Sequence, residues 1–185
     1  MSRILNLKEH ILKTAKDLSK EQGIAALSVR MVAQQSGIAL GSIYNYYPTK
    51  GDLIAAVIED FWKEAFSCID FSSLRKAETI AALEQIYFQL LGYLCSFKEN
   101  WLEQLSMLST ADKSAGRAKE KEYLAMVSAF IQKLLEQDTS ITGDYAPEEL
   151  KKLSRFILEQ MLILLREGEQ DLTLFKKILG RILYS

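Results

Sequence analysis

The stretch Ser28-Val29-Arg30-Met31-Val32-Ala33-Gln34-Gln35-Ser36-Gly37-Ile38-Ala39-Leu40-Gly41-Ser42-Ile43-Tyr44-Asn45-Tyr46-Tyr47-Pro48-Thr49-Lys50 reads as two short helices joined by a tight turn. Ser28 is a good N-cap for a first helix, Val29 to Gln35. Gly37 breaks the chain where the turn favours a positive φ. A second helix follows from about Ala39 to Tyr46, and Pro48 stops it. Ala33 is small enough to permit a close crossing, while Val32, Ile38 and Ile43 supply apolar plugs between the two helices. Thr49-Lys50-Gly51-Asp52 then reads as the cap and first turn of a longer helix carrying Leu53, Val57, Phe61 and Ala65.

The rest of the chain is helical in pattern. Upstream, Leu7, Ile11, Ala15 and Leu18 recur at helical spacing, and Gly23 ends that helix. Downstream, apolar stripes run through Ile80, Leu83, Tyr87, Leu90 and Leu94, and through Trp101, Leu105 and Leu108. Others run through Tyr123, Val127, Phe130, Ile131 and Leu134, through Leu150, Leu153, Ile157, Met161 and Leu164, and through Leu172, Phe175, Ile178, Leu179 and Ile182. Ser109 to Gly116 and Gln137 to Pro147 read as loops. The 185 residues are 49% hydrophobic and 25% charged, with only 2 Pro and 9 Gly. That composition suits a globular all-α protein and excludes wholesale disorder.

The 23 Lys and Arg nearly cancel the 24 Asp and Glu, but not evenly along the chain. Residues 1–52 hold seven basic groups against four acidic ones, a balance of +3, and the remainder is at −4. A polyanion would therefore choose the N-terminal part. No stretch approaches the roughly 20 apolar residues needed to span a bilayer. The N-terminus has no signal-peptide pattern, so the expectation is a cytoplasmic protein with no membrane partner. Cys68 and Cys95 suit a reducing compartment as buried or half-buried thiols. One His and two distant Cys do not compose a usual zinc site, and no nucleophile motif or phosphate loop stands out. The expectation is no enzyme, no metal and no cofactor.

Gly41-Ser42-Ile43-Tyr44-Asn45-Tyr46-Tyr47-Pro48-Thr49-Lys50-Gly51-Asp52-Leu53 resembles the signature of the tetracycline-repressor (TetR) family of transcriptional regulators. There the order is small, Ser/Thr, aliphatic, Tyr, any, His/Tyr, aromatic, two variable residues, Lys, two variable residues, Leu. Leu27 to Ile38 and the first helix ending in Gly23 match as well, and the motif covers about residues 7–57. The resemblance implies a three-helix helix-turn-helix DNA-binding domain over residues 1–52. A helical-bundle ligand-sensing and dimerisation domain would follow over 53–185. The chemistry agrees: a short helix presents its leading residues to base edges in the major groove. The DNA-binding candidates are Ser28, Arg30, Leu40, Gly41, Ser42, Tyr44, Tyr46 and Lys50. Ser28 and Lys50 suit phosphates, Arg30 a guanine or a phosphate, Gly41 a close backbone approach, and the Tyr44 and Tyr46 hydroxyls phosphates at longer reach. Plainer alternatives stand beside three of them and the neighbouring Tyr47: Ser28 as a cap only, Arg30 as a solvated charge, Tyr44 or Tyr47 as core. Ala39 and Leu40 depart from the family, where a capping hydroxyl and a polar side chain are common. Leu40 suits a thymine methyl instead.

The last two helices, about 147–167 and 170–184, are apolar over more than one stripe and so call for a second partner. A two-fold interface built on Phe156, Met161, Leu164, Leu165, Phe175, Ile178, Leu179 and Ile182 answers that need, the alternative being helices central to a monomer. Phe61, Tyr87, Leu91, Trp101, Met107, Tyr123, Met126 and Phe130 are candidates to line an apolar effector pocket, with plain core packing as the alternative. The expected function is a ligand-responsive regulator, more commonly a repressor. It would bind a palindromic double-stranded DNA operator as a homodimer, released by a small, largely apolar effector. The competing expectation is a helix-turn-helix protein controlled by a protein partner or by no ligand.

Overall fold

A computed structural model describes residues 2–74, 78–97, 104 and 110–185. Among the described residues the regular structure is entirely helical. In order come α1 (Ser2–Gln22), a 3₁₀ turn (Ile24–Ala26), α2 (Val29–Ser36), α3 (Leu40–Tyr44), α4 (Lys50–Ser67) and α5 (Phe71–Leu74). Then follow α6 (Thr79–Leu94), α7 (Thr110–Gln137), α8 (Pro147–Glu167) and α9 (Thr173–Leu183). The chain forms two compact units, one of Met1–Glu64 with Leu94–Lys121 and the other of Ala65–Tyr93 with Glu122–Ser185. The expected boundary after residue 52 lies within the continuous helix α4.

In the first unit, α1 packs on α2 and α2 on α3. Ile11, Ala15 and Leu18 of α1 meet a core that includes Ile24, Leu27, Val29, Val32, Ile43 and Tyr47, all buried. Leu53, Ile54, Val57 and Phe61 add the buried face of α4. The local punctuation follows the sequence. Ser28 Oγ accepts from the Met31 N–H at 3.2 Å. Gly37 takes φ 68°, the left-handed turn between α2 and α3. Thr49 and Asp52 cap α4 reciprocally, with Asp52 N–H donating to Thr49 Oγ1 at 3.1 Å and Thr49 N–H to Asp52 Oδ2 at 2.9 Å.

In the second unit the core comprises Ala82, Leu83, Ile86, Tyr87 and Leu90 of α6 with Val127, Ile131 and Leu134 of α7. Ile157, Met161 and Leu165 of α8 and Leu179 and Leu183 of α9 complete it. The chain end is tied down: Tyr184 Oη donates to Asp138 Oδ2 at 2.7 Å, and Tyr145 Oη to the Ile182 carbonyl at 2.6 Å.

Three expectations need correction. Residues 110–116, read as a loop for their polarity, belong to helix α7. Ala111, Lys113, Ala115, Arg117 and Ala118 are strong helix formers, and polarity without a breaker other than Gly116 does not stop a helix. Cys68 and Cys95 are exposed, because each falls just past the end of a helix, α4 and α6 respectively. Helix α3 has five residues, shorter than the Ala39–Tyr46 span, since Asn45 to Tyr47 tighten into a turn before Pro48. The stripe Trp101, Leu105 and Leu108 lies outside the described residues.

Candidate nucleic-acid interface

Ile43 is fully buried and Tyr47 only 3% exposed, so together they fix which side of α3 faces inward. The other side is open. Gly41 and Tyr44 are exposed, Leu40, Ser42 and Tyr46 are half-buried, and Lys50 is exposed at the start of α4. On α2, Arg30 is exposed and Ser28 half-buried. All eight sequence candidates therefore reach solvent: Ser28 caps α2, Arg30 lies on it, Leu40, Gly41, Ser42 and Tyr44 lie on α3, Tyr46 lies in the turn after it, and Lys50 heads α4. Ser28 does cap its helix, so its hydroxyl already serves the Met31 N–H. Tyr47 proves to be core and Tyr44 does not, which resolves the two readings of those rings. Ala39 makes no side-chain cap, and α3 begins with its carbonyl accepting from the Ser42 N–H at 2.8 Å. The sequence reading passed over Asn45. It is polar and exposed beside Tyr44, and its amide has the chemistry to read adenine; exposure, the property that marks it, has no signature in one sequence.

The charges behind this edge are arranged to hold it. Lys16 of α1 bonds Asp60 Oδ2 at 2.7 Å and also Glu64, both on α4. Burial alone would lower the Lys16 ammonium, but hydrogen bonds and the charges of those carboxylates outweigh it and hold its pKa above the ordinary value. Lys16 is thereby an internal clamp between α1 and α4. Lys20 sits 4.8 Å above the Phe97 ring, and Lys8 lies 5.8 Å from the centre of the Tyr47 ring. Burial, reinforced by Asp60, pushes the Tyr47 phenol up to about 12. His10 is exposed, with Nε2 3.4 Å from the Ser36 carbonyl.

The effector-pocket candidates fall in both units. Phe61 is buried in the first, with its ring edge-on to Trp62 and Phe97 at 5.1 and 5.0 Å between centroids. In the second, Tyr87 is fully buried and donates to the Glu169 carbonyl at 2.6 Å, while Leu91 and Tyr123 are half-buried. Met126 and Phe130 line an open groove of about 640 Å³ with Phe71, Lys133 and Leu134. Trp101 and Met107 lie outside the described residues.

The interface candidates divide by burial. Met161, Leu165 and Leu179 lie in the core of their own chain. Leu164, Phe175 and Ile182 are half-buried. Phe156 and Ile178 are open, joined by Ile163 and by Leu174, the last 69% exposed. The spacings 156 to 163 and 174 to 178 put each pair on one helix face.

Among the described residues no helix is long and apolar enough to cross a membrane, and no cluster of three His, Cys, Asp or Glu could hold a metal ion. An exposed short helix bearing Tyr44 and Gly41, held by a positive-φ turn against a capped second helix, defines a helix-turn-helix DNA-binding protein. Residues 11–57 match the model of a family described as bacterial regulatory proteins, tetR family. The match lies within the helix-turn-helix segment, about a quarter of the chain. A curated relative, the nucleoid occlusion factor SlmA of Haemophilus ducreyi, is 26% identical over 76 residues. That match covers 41% of this chain and 38% of that protein's length. The multidrug binding protein EbrR, solved with imidazole, has a TM-score of 0.67 at 21% identity, over 96% of this chain and 95% of that one. BioQ, solved with its double-stranded DNA operator, has a TM-score of 0.66 at 14% identity, over 94% and 95% of the two chains. These similarities establish the fold along the chain.

Proposed function

We propose that the chain is a homodimeric, ligand-responsive repressor that binds a palindromic operator through α2, α3 and the start of α4. In this reading Ser28, Arg30, Leu40, Gly41, Ser42, Tyr44, Tyr46 and Lys50 make the DNA contacts, and no step of catalysis is involved. The observation that carries it is the exposure of large apolar side chains on the last two helices, Phe156 and Ile163 on α8 and Leu174 and Ile178 on α9. Large apolar side chains grouped in this way mark a protein–protein contact. A two-fold axis through them would present two recognition helices to two half-sites.

The effector in this reading is a small, largely apolar molecule. It would act through differential affinity for two conformers, transmitted along α4, which contributes residues to both compact units. EbrR bound to imidazole and BioQ bound to its operator lend the two halves of this reading separate support. Control by a protein partner, without a small ligand, is favoured by one observation. Tyr87, a residue expected to line the effector pocket, is fully buried with its hydroxyl donating to the Glu169 carbonyl.

Light scattering across micromolar concentrations tests the dimer, and mobility shift with selected genomic fragments tests the operator. A persistent monomer, or failure to retain any duplex, overturns the reading. Release of the bound fragment by apolar compounds, but not by lysate protein, separates the two modes of control.

A further inference from the structure

We infer that this chain reads a thymine by its C5-methyl group through Leu40 and Ala39, an inference that rests on the proposed entry of α3 into the major groove. Ile43 and Tyr47 turn one side of α3 into the core, which leaves Ala39, Gly41 and Tyr44 exposed and Leu40 half-exposed. Leu40 and Tyr44 are four residues apart and share that open side. Three consecutive residues at the leading edge, Ala39, Leu40 and Gly41, carry no side-chain donor or acceptor. Arg30 and Lys50 are exposed on the elements either side of α3, so the surroundings are cationic while the edge itself is apolar. That combination fits a polyanion whose contacted base edge is apolar.

The major groove offers one such group. Guanine, adenine and cytosine present acceptors or amino donors there, whereas thymine adds a methyl to its O4 acceptor. A leucine pressed on a guanine or adenine edge would strip water from polar atoms and return no hydrogen bond. Pressed on a thymine methyl it buries apolar surface on both partners. Leu40 therefore selects thymine by attraction and disfavours the other bases by unreturned desolvation.

The test begins with selection of duplexes from a random pool by the full-length chain. Each thymine of the selected site is then replaced by uracil, which removes only the methyl. One thymine per half-site should weaken binding about 4-fold on replacement, the worth of one buried methyl. In Leu40→Ala the same replacement should weaken binding clearly less, since only the Ala39 methyl and a Cβ remain to meet the thymine, with circular dichroism confirming an intact fold. Reselection with Leu40→Gln, a variant that can hydrogen-bond a base, should change the preferred base at that pair and at no other. Uracil tolerance at every thymine, equal uracil sensitivity in Leu40→Ala, or an unchanged preference in Leu40→Gln overturns the inference while leaving DNA binding intact. A pool that yields no enriched duplex overturns the DNA reading itself, and this inference with it.

Discussion

Gly41→Ala separates what the fold needs from what DNA needs. Gly41 is exposed on α3, its φ is not in the positive region, and a Cβ added there meets no atom within 4 Å. Nothing inside the chain therefore requires glycine. In a helix interior glycine costs roughly 0.5–1 kcal/mol relative to alanine. Gly41 is the second residue of a five-residue helix, which places the expected gain on Gly41→Ala near the lower end, about 0.5 kcal/mol. For a chain of this size that gain raises Tm by about 1–2 °C. On DNA the sign reverses. The added methyl stands where the duplex must approach, and a gap of even 0.5–1 Å forfeits roughly a quarter to a half of each van der Waals contact. Displaced hydrogen bonds from Ser42 and Tyr44 add to that loss, for a combined weakening of at least about tenfold, near 1.4 kcal/mol. Thermal melts followed by circular dichroism give the first number, and fluorescence anisotropy on a selected duplex at fixed salt gives the second. A variant that melts higher and binds as well as the parent would refute the close-approach role of Gly41. A variant that melts lower would show that the fold, not the DNA, holds the glycine.

The remaining predictions address the core, the interface and the charges. The Tyr47 hydroxyl is buried with no hydrogen-bond partner among the described residues, so Tyr47→Phe should stabilise by about 0.5–1 kcal/mol in urea titration, and a loss would reveal a partner. Ile178→Glu places a charge on the exposed face of α9 and should give a folded monomer by light scattering; a variant that stays dimeric removes that face from the interface. Burial pushes Tyr47, Tyr87 and Tyr184 up to about 12 each, so the native state keeps phenolic protons that the unfolded chain releases above about 10. Stability from these groups is intact below that pH and should fall as pH rises towards about 12, seen as a dropping urea midpoint; a flat midpoint would contradict the burial of all three. Lys50→Ala should weaken every duplex alike and make the plot of log K against log salt shallower by about 1 for each phosphate left without its cation; an unchanged slope would take Lys50 off the phosphates.

The helix-turn-helix was legible because its determinants are local. A capping serine, a glycine that must adopt φ 68° and a proline that bars helix beyond the turn after α3 each act on their immediate neighbours, so one sequence suffices to place them. The outward side of α3 followed from the single buried plug at Ile43. Asn45 was missed because its side chain is distinguished only by exposure. The division of the α8 and α9 apolar residues into core and surface was equally hidden. Met161 and Phe156 are both large and apolar, and only three-dimensional packing assigns one to the interior and leaves the other 46% exposed.

Contacts between distant segments explain what else the sequence withheld. Local signals put a boundary after residue 52, where Thr49 and Asp52 start a helix. Compactness groups residues otherwise: Leu94–Lys121 belongs with Met1–Glu64. Phe97 meets Phe61 edge-on at 5.0 Å and lies beneath Lys20 of α1. The Gln104 side chain occupies the space a Cβ on Gly23 would need, at a turn where φ is already 88°. Gly23 thus ends α1 for two reasons, of which only the backbone one has a sequence signature. In the proposed mode of control α1 and α4 are the helices to watch, since they carry the core on which α2 and α3 are seated. Phe97 already touches both, through Lys20 and Phe61. The physical unit that holds the recognition helix therefore extends beyond the motif that advertises it, and a mutation scan confined to residues 11–57 would miss part of what positions the DNA-binding edge.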